Sequence, residues 1–328
     1  MMKVVLVVGG AGYVGSHACK ELARRGVMPV TFDNLSTGHA HTVKWGPFEE
    51  GSLLDSNRVA SVFQTYKPDA VMHFAAHAYV GESVAEPLRY YKNNVAATIA
   101  LLEAMKQFGV QNLIFSSTCA VYGIPESLPI SEVCPRVPIS PYGRTKFTVE
   151  MALEDCAQAY EIKYVSLRYF NAAGADPDGE IGEEHEPETH LIPRALMASF
   201  GDLPHLDIFG NRHPTPDGTC LRDYIHVSDL AVGHWLALDY LAKGGRPRPF
   251  NLGTGRATSV AEVIAAVESA TGQKVPTRVV AARPGDPPAL FADPAQAREL
   301  LGFRPQFADI EPIVRTAADF YRAKRATL

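Results

Sequence analysis

The chain has 328 residues, 46 % of them hydrophobic and 20 % charged, with a formal net charge of −5. That is the composition of a folded globular protein, long enough for two domains or for one large domain with an appended lobe, and it excludes disorder. The mild acidity, without a long run of lysine or arginine, argues against nucleic acid or an anionic membrane as partner. No apolar run reaches the roughly 18 residues needed to span a bilayer.

The first segment, "MMKVVLVVGG", has a lysine and an apolar run, Val4–Val8, that breaks at glycine too soon for a signal peptide. It reads as a buried strand. Gly9, Gly12 and Gly15 follow as G-x-x-G-x-x-G and open a helix over Val14–Arg25. The first two glycines permit a tight turn and let backbone N–H groups approach a pyrophosphate; the third lets helix and strand pack closely. A second strand, Pro29–Asp33, ends on Asp33. A carboxylate there accepts hydrogen bonds from ribose hydroxyls and repels a 2′-phosphate, which favours NAD over NADP.

The alternation continues with a helix over Asn57–Tyr66, a strand at Ala70–Phe74, a helix over Leu88–Phe108 and a strand at Asn112–Ser117. A helix over Pro141–Tyr160 and a strand at Lys163–Phe170 complete it. Continuous apolar strands separated by helices predict right-handed crossovers and an α/β fold with a Rossmann-like doubly wound parallel sheet.

"SPYGRTK" places Tyr142 and Lys146 four residues apart, just after Ser140, a helix cap, and Pro141. Four residues turn a helix by about 400°, so the two share a face. A lysine ammonium and the positive ring of NAD⁺ both favour phenolate over phenol. Tyr142 then serves as a base toward an alcohol whose hydride passes to nicotinamide. Thr118, at the end of the preceding strand, offers a hydroxyl to the same substrate oxygen.

After Phe170 the rhythm fails. "NAAGADPDGEIGEEHEPETH" reads as a solvated acidic loop entering a second lobe, while "RDYIHVSDLA" and "RPFNLGTG" look like strand ends returning toward the sheet. The expected division is a NAD-binding Rossmann domain over 1–176, rejoined by 223–252, and a smaller, interleaved α/β lobe over 177–328. The odd number of cysteines, with no C-x-x-C spacing, favours reduced thiols and a cytoplasmic setting. No metal site is expected: the cysteines lack zinc spacing, His73 sits near a strand end so its four-residue spacing to His77 is not helical ligand geometry, and His226 reads as a satisfied histidine.

The stretches "GGAGYVGSH", "FDNLSTG", "FSSTCAVYG", "SPYGRTK", "LRYFNAAGA" and "IFGNRHPTPDGTCLRDYIHV" together resemble the UDP-glucose 4-epimerase family of extended short-chain dehydrogenase/reductases. The resemblance runs from Lys3 to the last helix. It implies a galactose-metabolism isomerase with retained NAD. Hydride leaves C4 of the hexose while Tyr142 takes the O4 proton, the 4-keto sugar rotates, and hydride returns to the opposite face. It implies Tyr142, Lys146 and Thr118 as catalytic residues. Gly9, Gly12, Tyr13, Val14, Gly15, Asp33, Asn34, Phe74, Asn93 and Phe170 are placed beside NAD, with Tyr142 and Lys146. Asn171, His190, Leu191, Phe209, Arg222, Tyr224, Arg283, Asp286 and Leu290 are placed beside the UDP-sugar, with Thr118 and Tyr142. A homodimer through the helices at Leu88–Phe108 and Pro141–Tyr160 is also implied.

Several positions depart from the family pattern. Ser52 replaces an aspartate near the adenine, Ala78 a lysine beside NAD, His190 an asparagine near the sugar, and Thr118 a serine. Cys119 and Ala120 stand where related 4,6-dehydratases carry an Asp-Glu pair, which removes the acid and base of dehydration. The competing readings are a 4-epimerase of another UDP-sugar (an N-acetylhexosamine, glucuronate or pentose) and a non-catalytic NAD-sensing protein.

Overall fold

The structure, a computed structural model, describes residues 2–283 and 286–326. Its frame is a seven-stranded, wholly parallel sheet. In chain order the strands are β1 (Val4–Val8), β2 (Met28–Asp33), β3 (Phe48–Glu50), β4 (Ala70–His73), β5 (Asn112–Thr118) and β6 (Lys163–Tyr169). The last sheet strand, Arg248–Leu252, joins much later. The spatial order is that last strand, then β6, β5, β4, β1, β2 and β3. The winding therefore reverses between β1 and β4, and ligands of such sheets bind outside the carboxyl ends of the strands at that reversal.

The pleat divides the core. Val5 and Val7 of β1 pack on one face with Met72, Ile114, Val165 and Leu167; Leu6 and Val8 pack on the other with Val71, Leu113 and Phe115. Both sides are dry, which is why these strands read as unbroken apolar runs. Each such side chain contributes roughly 1.5–3 kcal/mol on burial.

Helix α1 (Tyr13–Arg24) and helix α2 (Ser56–Tyr66) lie where the periodicity predicts. The single helix expected over Leu88–Phe108 is instead three pieces: α4 (Pro87–Tyr90), a π-helical turn (Tyr91–Ala96) and α5 (Ala97–Phe108). A further short helix, α3 (Val80–Ala85), precedes them. The wide turn brings Asn94 inward, where its side chain accepts from His77 N and donates to His77 O and Thr145 Oγ1. Wide turns of this kind break the helical register to direct a polar side chain. Helix α6 (Pro141–Tyr160) starts as predicted, with Ser140 Oγ accepting from Gly143 N at 3.1 Å.

The second lobe has its own core, in which α7 (Leu191–Ser199), α9 (Val260–Thr271) and the last helix (Ile310–Arg325) pack Leu196, Val263, Val267 and Val314 together. Helix α8 (Val227–Ala242) crosses back and packs on α1. One expectation is corrected: Tyr224–His226 does not return to the main sheet. It pairs with Asn171–Ala173 in a separate two-stranded sheet. Its polar flank, Asp223, is wholly buried and accepts from the N–H groups of Thr254, Gly255 and Ala292, so it ties three loops together outside the sheet.

Candidate functional site

The glycine turn fills the reversal point. Gly9 has φ +81°, and a Cβ there would lie 2.4 Å from Ala75 N; a Cβ on Gly15 would lie 2.1 Å from Gly9 O. The turn closes this tightly only because neither residue has a side chain. Gly12 is the N-cap of α1 and supplies no capping side chain, so the first-turn N–H groups and the positive end of the helix remain available to an anion. Beside the turn, Asp33 is buried, its Oδ2 accepting from Ala11 N at 3.0 Å and its Oδ1 from Leu35 N at 2.9 Å. Burial raises its pKa, and those N–H groups act in the opposite direction. A cradle that a single Cβ would fill, an open helix start and a carboxylate at the second strand end fit a dinucleotide.

Around this cradle the other cofactor candidates divide. Tyr13 donates from its hydroxyl to Gly174 O at 2.6 Å, and Val14 packs against the core. Phe74 follows β4 and lies 4.6 Å from the His234 ring. Asn93 donates to Asn94 Oδ1, and Asn34 is exposed, accepting from Ser36 N. Phe170 is buried with Val121, Tyr122, Ile130 and Ala292.

The chemical wall is the seam between β5 and α6. Thr118, the last residue of β5, caps the following turn through its hydroxyl, which accepts from Ala120 N at 3.1 Å. The same hydroxyl acts on Tyr142 in the sense that favours its ionised form. Gly143 permits α6 to approach this turn: a Cβ there would sit 2.6 Å from Ala120 O. One turn along α6, Lys146 is 4 % exposed and donates from Nζ to Ser116 O at 2.7 Å. Burial pushes its ammonium down to about 7, opposed by the Glu150 carboxylate. Burial also pushes the Tyr142 phenol well above its ordinary value, and Tyr169 adds to this, while the Thr118 hydroxyl acts in the opposite direction. The protein surroundings alone therefore hold Tyr142 neutral. The ionised phenol expected from the sequence needs positive charge brought to it.

On the substrate side, Arg222 Nη2 donates to Asp286 Oδ1 at 2.5 Å, and the Arg283 guanidinium lies 3.8 Å over the Phe209 ring. Phe209 is exposed, Leu191 is half-buried at the start of α7, and Leu290 packs beside the cluster that holds Tyr122 and Phe170. Asn171 Nδ2 donates to Asp223 O at 3.0 Å. Tyr224 is buried in the core of the second lobe.

"EEHEPETH" is not a solvated loop. His190 Nδ1 lies 2.9 Å from both Glu183 Oε1 and Glu188 Oε1, and His185 Nδ1 lies 3.3 Å from Glu183 and 3.6 Å from Glu188. The Glu183 and Glu188 side chains are almost fully covered, and the ring of Tyr79 lies beside both histidines. Burial lowers the proton affinity of His190, but the hydrogen bonds to Glu183 and Glu188 outweigh it and bring its pKa up to about 10. Alternating carboxylates and imidazoles neutralise one another, so the segment can fold inward; counting its charges one by one hides that.

Sequence reasoning also passed over Glu150 and Arg168, each 2 % exposed and paired at 2.6 Å behind Lys146. A signal was available. Glu150 stands four residues beyond Lys146, as Lys146 stands four beyond Tyr142.

Comparison with known proteins shows the family. The NAD dependent epimerase/dehydratase family matches residues 5–253. The chain is 50 % identical over 319 residues to the UDP-glucose 4-epimerase of Rhizobium leguminosarum bv. trifolii, covering 97 % of each. The crystal structure of UDP-glucose 4-epimerase from Brucella ovis in complex with NAD is similar with a TM-score of 0.96 and 55 % identity, over 97 % of this chain and 98 % of that one. The Bifidobacterium longum UDP-glucose 4-epimerase in complex with NAD+ and UDP is similar with a TM-score of 0.94 and 36 % identity, over 99 % and 100 %.

Proposed function

The chain belongs to the NAD dependent epimerase/dehydratase family, among its UDP-glucose 4-epimerases, and from that premise we propose that Tyr142, Thr118 and Lys146 carry its chemistry. The reaction is the NAD-dependent interconversion of UDP-galactose and UDP-glucose at C4 of the sugar. When bound, NAD supplies the acceptor and donor of the C4 hydride and, in its oxidised form, a positive ring. Gly9, Gly12 and Gly15 make room for its pyrophosphate, and Asp33 offers acceptors to its ribose. Tyr142 Oη takes the O4 proton on oxidation and returns it on reduction. Thr118 Oγ1 orients that hydroxyl. Lys146, one turn along the helix, places an ammonium on the same face, and the oxidised ring of the bound cofactor would supply the further positive charge that a buried phenol needs before it can ionise.

Because the 4-keto sugar must present either face to the hydride donor, the firm contacts belong on the nucleotide. Arg222 and Arg283 suit the diphosphate, and Phe209 suits the uracil. Arg222 is held by Asp286, and Arg283 lies over the Phe209 ring.

The observation that carries this reading is the seam of β5 and α6, where the Thr118 hydroxyl acts on the Tyr142 phenol one turn from a buried lysine that donates to Ser116 O. Incubating the purified protein with UDP-galactose, without added NAD, tests it. UDP-glucose is the expected product. Absence of conversion by protein that still contains NAD would contradict the assignment.

We further infer a homodimer. Leu88, Tyr91 and Ile99 on one helical segment and Met151 and Tyr160 on α6 are exposed apolar side chains, which supports pairing through these helices. The proposed domain division is a NAD domain over 1–176, rejoined by the segment 227–252, and a UDP-sugar lobe over the rest of 177–328. The five cysteines are free thiols, in keeping with a cytoplasmic setting, and among the described residues no helix is long and apolar enough to cross a membrane.

A further inference from the structure

Three residues of α6 lie on one line, each one turn from the next: Tyr142, Lys146 and Glu150. The last three residues of β5 engage them one for one. The Thr118 hydroxyl acts electrostatically on Tyr142, Ser116 O accepts from Lys146 Nζ at 2.7 Å, and Ser117 Oγ donates to Glu150 Oε1 at 2.6 Å. We propose that Glu150 is a positioning residue for the reaction, the buried anchor that fixes Lys146 against β5 and supplies the negative charge its ammonium faces. This rests on the assignment of Tyr142 and Lys146 given above.

The carboxylate is costly where it stands, since an ion removed from water loses several kcal/mol of solvation unless it is fully paired. Its pairing is complete. Arg168 donates from Nε to Oε1 at 3.0 Å and from Nη2 to Oε2 at 2.6 Å, and Arg136 Nη1 approaches Oε2 at 3.4 Å. Arg168 is held in turn by the Tyr122 hydroxyl, which donates to Asn251 Oδ1. The anchor therefore reaches across three strands. A wall needed only for packing would be served as well by apolar groups of this size.

The groups that face Lys146 single out Glu150. On its own helix these are Tyr142 and Glu150. From β5 come the Ser116 carbonyl and the Phe115 ring, 4.8 Å from Nζ. From β4 comes His73, wholly buried, which burial first and Lys146 second bring down to about 3, so it stays neutral. From β6 comes Arg168, on the far side of Glu150, with Arg136 beyond it. Glu150 is thus the carboxylate that opposes the effect of burial on Lys146.

The test is the pH profile of kcat/KM for UDP-galactose. Glu150→Gln alone leaves Arg168 buried and unpaired and can fail to fold, so it is paired with Arg168→Met; Glu150→Asp, which keeps the charge but draws it back by one methylene, is the conservative variant. Loss of the Lys146 proton produces the alkaline limb. Removing the Glu150 charge weakens the hold on that proton; loss of the Arg168 charge opposes this but acts less on Lys146, so the limb moves to lower pH, by up to about one unit in the double variant and by less in Glu150→Asp. NAD content should match the wild type in both. A lower rate with the limb unmoved would make Glu150 merely structural and overturn the proposal. Lys146→Met, assayed in parallel, separates the two failures: if it epimerises normally, the site assignment itself is wrong.

Discussion

Lys146 on α6 and Ser116 on β5 are joined by a hydrogen bond from Nζ to the carbonyl oxygen, 2.7 Å long, in a wall where the lysine is 4 % exposed. The contact fixes the ammonium between the proposed base and the sheet, and it leaves the charge with little solvent.

That burial has a consequence for stability. Burial lowers the pKa of folded Lys146 from 10.5 to about 7, against the pull of Glu150. Between those values the unfolded chain binds the extra proton, so native stability rises with pH across the window, and the penalty is fully present below it. In cofactor-free protein, Lys146→Met should therefore exceed the wild type in unfolding free energy by on the order of a few kcal/mol near neutrality. The difference should shrink steadily toward pH 10. Urea unfolding across that range measures it, and a constant difference would show that the charge is not the cause.

Tyr142→Phe removes one oxygen from a half-buried side chain and leaves the ring packing in place. Turnover should fall by about 10²–10⁴-fold, the usual worth of a positioned acid–base group. NAD content and thermal unfolding should stay near the wild type, which circular dichroism and release of bound nucleotide will establish.

Thr118 has two roles that can be separated. Its hydroxyl orients Tyr142 and also accepts from Ala120 N at 3.1 Å to cap the next turn. Thr118→Val should lower kcat by about 10-fold or more and cost about 1 kcal/mol of stability for the lost cap. Thr118→Ser keeps the hydroxyl and should restore both. Steady-state kinetics beside chemical denaturation will show whether the two losses travel together.

The cofactor end is tested by what remains bound after purification. Asp33→Ala removes the acceptor at the end of β2, and NAD per chain should drop clearly below the wild type. Gly15→Ala forces a methyl to within 2.1 Å of Gly9 O, so the turn must open, and both NAD content and stability should fall. Quantifying nucleotide released on denaturation gives both results.

Much of this site was legible in the sequence because it is built from local patterns. The glycine spacing, the strand-end Asp33 and the Tyr142–Lys146 helix each occupy one short stretch, and each folds as its periodicity requires. The parts that were not legible are long-range or cooperative. Asn94 faces inward only because a π-helical turn interrupts a stretch that reads as a single helix. Tyr224–His226 has the composition of a sheet strand, yet its partner is Asn171–Ala173, chosen by the loop contacts of Asp223. The acidic segment before α7 folds inward because Glu183 and Glu188 meet His185 and His190 as a set. Glu150 and Arg168 are each ordinary surface-type residues until tertiary packing brings them together.

The most direct measurement of the central claim, oxidation and reduction at C4 within one closed site with Tyr142 carrying the proton, uses UDP-galactose deuterated at C4. Conversion in ordinary water should yield UDP-glucose with the deuterium still at C4, and Tyr142→Phe should slow that conversion without releasing label. Product whose C4 label has exchanged with water would contradict internal return of the hydride and with it the assigned chemistry.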